Sequence, residues 1–271
     1  MCKRDEKTSS LLILTKNCFT VGTRMETIRF ATFNIGDFSG LGFAPGSAEG
    51  KGIIRATMAS AAVQFWGLQE DVEYYNKDNK EGPYTALYDD YSCYERRGHT
   101  AYNYKAFLSD YTVKDVEQVY YTGDMKFRHP WFLRGMAELA GRRVCLISLH
   151  FDWSDKVVRR EQIRQVIACA DQYEYCIILG DFNPNDYVND GQKNSSDSLH
   201  GEEWPIFEAA GYTLANGGAF GTIDTILDNP TPPCPCDNII VSANIRISQV
   251  GRVADAWMSD HAILWADLTF E

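Results

Sequence analysis

Long apolar runs, internal repeats and glycine–serine linkers are missing from this 271-residue chain. No stretch approaches the roughly 20 apolar residues that cross a bilayer, so no transmembrane segment is expected. Composition does not shift after residue 27, and residues 25–271 are expected to form one domain. Cationic residues are in deficit, 26 Lys plus Arg against 37 Asp plus Glu, which leaves a formal charge of −11. Such a surface repels nucleic acid and anionic membrane on average. A divalent cation with a local basic patch reverses that field at one site, so neither substrate is excluded. Histidine is scarce, with five in the chain, and no histidine and cysteine set has the spacing of a zinc site.

Cysteine usage fits a reducing compartment. Cys145, Cys169 and Cys176 lie in apolar stretches and are expected to be small buried hydrophobes. Cys234 and Cys236 flank one proline, a spacing that strains a disulfide, and read as a turn with two thiols. At the start, Lys3 and Arg4 precede the apolar Leu11–Leu14, but Asp5, Glu6 and Lys16 interrupt a signal-peptide pattern. Residues 1–24 are therefore expected to be an extension outside the fold, with Met25 a candidate initiator. The expected location is cytoplasmic, with secretion through a weak N-terminal signal as the alternative.

Hydrophobic residues make up 45% of the chain, as in globular proteins. β-Branched and aromatic runs predict strands at 28–35, 65–70, 104–109, 116–121, 143–151, 175–182, 238–242, 245–250 and 262–270. Several are apolar on both faces, which calls for sheets covered on both sides. Helices are predicted at 52–64, 155–171 and 202–210. The second has Ile163, Val166, Ile167 and Ala170 at helical spacing, behind Ser154 or Asp155 as N-cap. Residues 71–103 and 122–142 read as long connections.

Polar residues interrupt these strands at their ends: Asn34, Glu70, His150, Asp181 with Asn183, Asp237, and Asp260 with His261. Ligand sites in layered α/β folds gather where strand ends converge, so the six sets predict one polar pit. Glu70 and Asp260 are hard oxygen ligands and Asn34 adds a neutral oxygen, a set suited to Mg²⁺. Asp181 and Asn183, two apart in an extended segment, would face the same side. His99, His129 and His200 sit in no such motif and read as surface or core residues. Asp152 either supports His150 or caps the helix near 155.

The strings TFNIGDF (32–38), GLQED (67–71), SLHFDW (148–153), GDFNPND (180–186), CDNIIVS (236–242) and SDHAIL (259–264) resemble the endonuclease/exonuclease/phosphatase superfamily. Their order and spacing agree over about residues 28–270. The resemblance implies a four-layer α/β/β/α sandwich, with two mainly antiparallel or mixed sheets flanked by helices, as in deoxyribonuclease I. It implies Glu70 as principal Mg²⁺ ligand, assisted by Asn34 and Asp260, with Mn²⁺ as a substitute. Asp181 would orient or deprotonate water, and Asn183 would hold the phosphate. His261, oriented by Asp237, would be general base or phosphate-binding imidazole. His150 would stabilise the pentacovalent phosphorus or protonate the leaving oxygen.

Substrate choice rests on the two connections. The first carries Arg96, Arg97, Tyr102 and Asn103, and the second Lys126, Arg128, Trp131 and Phe132. Basic residues among aromatics suit a nucleic-acid backbone with stackable bases. An exposed Trp131–Phe132 pair would instead suit a lipid surface. The expectation is a monomeric Mg²⁺-dependent phosphodiesterase, a nuclease acting on DNA. The alternative is a phosphatase or phosphodiesterase for a small phosphorylated molecule or lipid head group. A catalytically inactive binding module is a third class, and the intact Glu70, Asp181, Asn183, Asp260 and His261 argue against it.

Overall fold

A computed structural model describes residues 26–36, 56–71, 91–98, 103–184, 203–217, 220–222, 235–253, 259 and 261–271. Its strands form two six-stranded sheets. In the first, β1 (Thr27–Asn34), β2 (Phe65–Gln69), β3 (Cys93–Arg97), β4 (Lys105–Ser109), β11 (Ile245–Val253) and β12 (Ile263–Phe270) lie in the order β11-β12-β1-β2-β4-β3. In the second, β5 (Val113–Tyr120), β6 (Trp131–Leu139), β7 (Arg142–His150), β8 (Tyr175–Asp181), β9 (Thr213–Leu214) and β10 (Asp237–Val241) lie in the order β5-β6-β7-β8-β10-β9. Helices α1 (Lys156–Ala170) and α2 (Trp204–Ala209) complete the labelled elements, and residues 56–60 are also helical.

Alternation along the strands creates the layers. Phe30 of β1, Phe65 of β2 and Leu146 of β7 point between the sheets, where they join Ile177, Leu179 and Leu264 in the central core. Ala31 and Phe33 point outward, against Met58 and Ala61. On the opposite outer face, Cys145, Ile147 and Ile178 pack against Ile163, Val166 and Ala170 of α1 and Phe207 of α2. The result is the predicted helix–sheet–sheet–helix sandwich, with mixed sheets. Both faces of each sheet are covered, which explains why β2, β4, β8 and β10 are buried along their whole lengths.

Each sheet contains one parallel pair at its centre, β1 with β2 and β7 with β8. A parallel pair needs a crossover, and α1 supplies it for β7 and β8. Asp155 caps α1, its carboxylate accepting from the backbone N–H of Val157 and Val158. Parallel strands end at the same side, so Asn34 and Gln69 stand level, as do His150 and Asp181. The antiparallel β10 starts there too, with Asp237 opposite Asp181.

The structure corrects several sequence expectations. The connection expected at 122–142 contains the whole of β6, and Trp131 and Phe132 are only 3% and 1% exposed. They are core residues, which removes the lipid-dipping surface. The connection expected at 71–103 contains β3, which carries Arg96 and Arg97. The fifth strand begins at Val113 rather than 116 and has a register shift between Lys114 and Glu117, which blurs its alternation. Cys145, Cys169 and Cys176 are buried free thiols, as expected. Residues 1–24, Tyr102, Cys234 and Asp260 lie outside the described residues. No helix among those described is long and apolar enough to cross a membrane.

Candidate active site

Asp181, at the end of β8, is the hub of the pit. Its Oδ2 accepts from Asn34 Nδ2 at 3.1 Å and lies 3.4 Å from His150 Nε2 and 3.7 Å from His261 Nε2. Its Oδ1 accepts from the Asn183 backbone N–H at 3.1 Å. Burial foremost, then the charge of Asp237, pushes the Asp181 carboxyl up to about 7; His261, Asn34 and the Asn183 N–H pull the other way. A carboxyl so poised can exchange its proton at neutral pH.

Asn183 follows the end of β8 in a turn and not in an extended segment, and its N–H meets the Asp181 carboxylate there. It has a left-handed φ of 43°, and its Nδ2 donates to Phe151 O at 3.2 Å. Asparagine tolerates this backbone region better than most residues. Glu70 also adopts a left-handed φ, 52°, where β2 ends. Its N–H donates to Tyr104 O at 2.9 Å, and its Oε1 lies 3.4 Å from Asn34 Nδ2 and 3.7 Å from His150 Nδ1. Asn34 uses its own side-chain oxygen to accept the Gly36 N–H at 2.9 Å, so its NH₂ faces the carboxylates. That oxygen keeps a second lone pair, so the Gly36 contact leaves room for the ligand role expected of it.

His261 and Asp237 form the tightest pair, with Nδ1 2.8 Å from Oδ2. Ser259 positions the imidazole: its hydroxyl donates to Asn34 O at 2.7 Å and accepts the His261 N–H at 3.0 Å. This serine ties the segment before β12 to the end of β1. Under the pit, Gln69 bridges the sheets, accepting from Thr32 Oγ1 at 3.1 Å and donating to Ser148 Oγ at 3.2 Å.

His150 is 4% exposed, and among the described residues its Nδ1 has no hydrogen-bond partner. Burial, with nearby His129, Lys105 and His261, holds it well below the ordinary imidazole range. A neutral His150 donates a hydrogen bond but carries no spare proton. His129 stacks on it with ring centroids 3.8 Å apart and 18° between planes. His129 is thus a site residue that local sequence did not indicate, since no motif surrounds it. Lys105 was missed as well. It is fully buried, and its Nζ lies 4.1 Å over the Trp131 ring. Asp152 does not support His150: its Oδ1 accepts from Ser154 and the Asp155 N–H, ordering the turn before α1.

The expected substrate residues divide. Arg96 lies 4.1 Å over Tyr104, and Arg128 lies 4.4 Å over Trp153. Asn103 Oδ1 is 3.0 Å from His129 Nδ1 and so forms part of the pit wall. Arg97 pairs with Glu95 at 2.9 Å, and Lys126 is exposed. Among the described residues no group of three or more His, Cys, Asp or Glu is arranged to hold a metal ion. The donors nonetheless fit a hard cation. Glu70 and Asp181 bring two carboxyl groups to the Asn34 amide, no thiolate joins them, and Mg²⁺ needs only one or two carboxylates beside water and phosphate.

The model of the Endonuclease/Exonuclease/phosphatase family matches residues 31–261. Solved structures with the same fold include a family protein from Bacteroides thetaiotaomicron, 16% identical, covering 92% of this chain and 99% of that one, with a TM-score of 0.68. A mannosyl-6-phosphatase from the same organism is 17% identical, with 90% and 100% covered and a TM-score of 0.68. D. rerio TDP2 complexed with a single-strand DNA product is 14% identical, with 90% and 99% covered and a TM-score of 0.62. Among curated proteins none matches this chain. With the family match spanning most of its length, the chain belongs to the endonuclease/exonuclease/phosphatase family of metal-dependent phosphoester hydrolases.

Proposed function

We propose that the protein is a Mg²⁺-dependent phosphodiesterase that cleaves DNA. The observation that carries this reading is the convergence on Asp181 of Asn34, His150 and His261, beside two arginines stacked on aromatic rings. Asp237 holds Nδ1 of His261, which leaves Nε2 toward Asp181. Asp181 takes the proton of the attacking water, and His261 shares that proton. His150 donates to a phosphoryl oxygen, and Asn183 helps to hold the phosphate. Glu70 would hold Mg²⁺, with Asp260 and the oxygen of Asn34. When bound there, the ion would supply positive charge against the phosphoryl oxygens.

The rim supports a polynucleotide. Arg96 over Tyr104 and Arg128 over Trp153 each join a cation to a flat apolar face, the combination that tracks a backbone and stacks bases. The second reading is a phosphatase for a small phosphorylated molecule. The likeness to a mannosyl-6-phosphatase supports it, as does the acidic net charge of −11, which favours no tight non-specific DNA binding.

The test is nicking of supercoiled plasmid with Mg²⁺, with and without EDTA, beside Glu70→Ala. Metal-dependent nicking lost in the variant supports the nuclease. Absence of nicking with Mg²⁺-dependent turnover of bis-p-nitrophenyl phosphate removes DNA and keeps the diester chemistry. Turnover of sugar phosphates alone selects the phosphatase.

A further inference from the structure

The two imidazoles of the pit are held in different ways. His261 has an in-plane partner, Asp237 at 2.8 Å, which fixes both its tautomer and its ring rotation. Among the described residues His150 has none: its Nδ1 lacks a hydrogen bond, and its nearest carboxylate oxygens are 3.7 Å and 3.4 Å away. Those distances exceed the range in which a hydrogen bond orients a ring. What restrains His150 is its face, against which His129 lies nearly parallel at 3.8 Å.

His129 is itself anchored to three elements. Its Nδ1 is 3.0 Å from Asn103 Oδ1, a residue just ahead of β4 in the other sheet. Its carbonyl accepts from Gln162 Nε2 at 3.1 Å. The other end of that Gln162 amide accepts the Asp152 N–H at 2.9 Å, two residues past His150. One glutamine of α1 therefore sets the height of His129 relative to the end of β7, while Asn103 sets the rotation of its ring.

We propose that His129 is a positioning residue, its ring plane doing for His150 what Asp237 does for His261. This rests on the reading that His150 serves phosphoester hydrolysis. Displacing a reacting group by about 1 Å is enough to cost up to about 10²-fold in rate. Removing the plate should therefore lower kcat while leaving substrate affinity in place. A flat ring without nitrogens should replace it.

The experiment compares His129→Ala, His129→Phe and Asn103→Ala, using Mg²⁺-dependent bis-p-nitrophenyl phosphate hydrolysis and NMR of histidine-labelled protein. In His129→Ala, kcat should fall about ten-fold with KM within about two-fold of wild type. His129→Phe should recover most of that loss, and Asn103→Ala should fall between. In the spectra, the upfield ring-current shift of the His150 ring protons should persist in His129→Phe and vanish in His129→Ala. Unchanged kcat in His129→Ala would overturn the proposal. So would equal loss in the Ala and Phe variants, which would assign the effect to the His129 nitrogens. A wild type that hydrolyses no phosphoester would sink the functional reading alone, because an unmoved His150 shift in His129→Ala would still refute the stacking by itself.

Discussion

Lys105 lies 4.1 Å over the ring of Trp131, and among the described residues its ammonium has no hydrogen-bond partner. Burial pushes its pKa down to about 7, against the pull of Glu70. Lys105 and Gln69 are register partners on β4 and β2, so this cation sits at the floor of the pit. A buried charge without an acceptor is costly.

That cost has a pH signature. The unfolded lysine keeps its proton to about pH 10.4, whereas the folded one loses it near 7. Stability is therefore reduced below about 7 and recovers as pH rises toward the unfolded value. Lys105→Met should stabilise the metal-free protein at pH 6–7 by roughly 1–4 kcal/mol, with the advantage gone near pH 10. Thermal melts in EDTA across that range check it; a pH-independent difference would contradict it.

Asp181 has the opposite sign. Its folded carboxyl titrates at about 7, above its unfolded value near 4. The fold therefore favours the protonated form, and this contribution is full below about pH 4 and lost as pH rises through 7. Asp181→Asn should melt higher than wild type at pH 8 in EDTA, by roughly 1–4 kcal/mol, with little difference near pH 4. Catalysis should fall by at least about 10²-fold. A variant no more stable than wild type at pH 8 would show that the carboxylate is not under strain.

Gly180→Ala tests the strand contact beneath the pit. A Cβ there would stand 2.3 Å from the Leu149 carbonyl oxygen, a backbone atom that cannot rotate away. Either β7 or β8 must shift, and His150 and Asp181 are the next residues on those strands. The variant should lose about 1–3 kcal/mol in denaturant melts, and kcat should fall with it. Wild-type melting and turnover together would show that the strands can part without moving the site.

Arg96→Gln and Arg128→Gln separate rim from chemistry. Each should weaken DNA cleavage through KM and reduce the log–log salt slope by about one phosphate contact. Hydrolysis of bis-p-nitrophenyl phosphate should not change. DNA turnover that ignores both substitutions would place the groove elsewhere and favour the small-molecule reading.

Much of the site was legible because its residues occupy strand ends, where an alternating apolar run stops at a carboxylate, amide or imidazole. Asn34, Glu70, His150, Asp181, Asp237 and His261 could be picked out in that way, and tertiary structure brings them together. His129 and Lys105 could not. His129 belongs to the connection before β6, and only the fold lays it on His150. Lys105 looks like an ordinary strand lysine until the second sheet covers it with Trp131. The Trp131–Phe132 pair misled for the same reason, since an apolar pair in an assumed loop is a strand of the core once its neighbours are known.

Local chemistry in the sequence was sufficient for the layered α/β class, the covered sheets and the kinds of groups available for phosphoester hydrolysis. Those follow from short-range periodicity and from what each side chain can donate, accept or bind. Distances were decided only by packing: which carboxylate meets which imidazole, which cation loses its water, and which ring lies on which. These depend on contacts between residues far apart in the chain, and no local pattern encodes them.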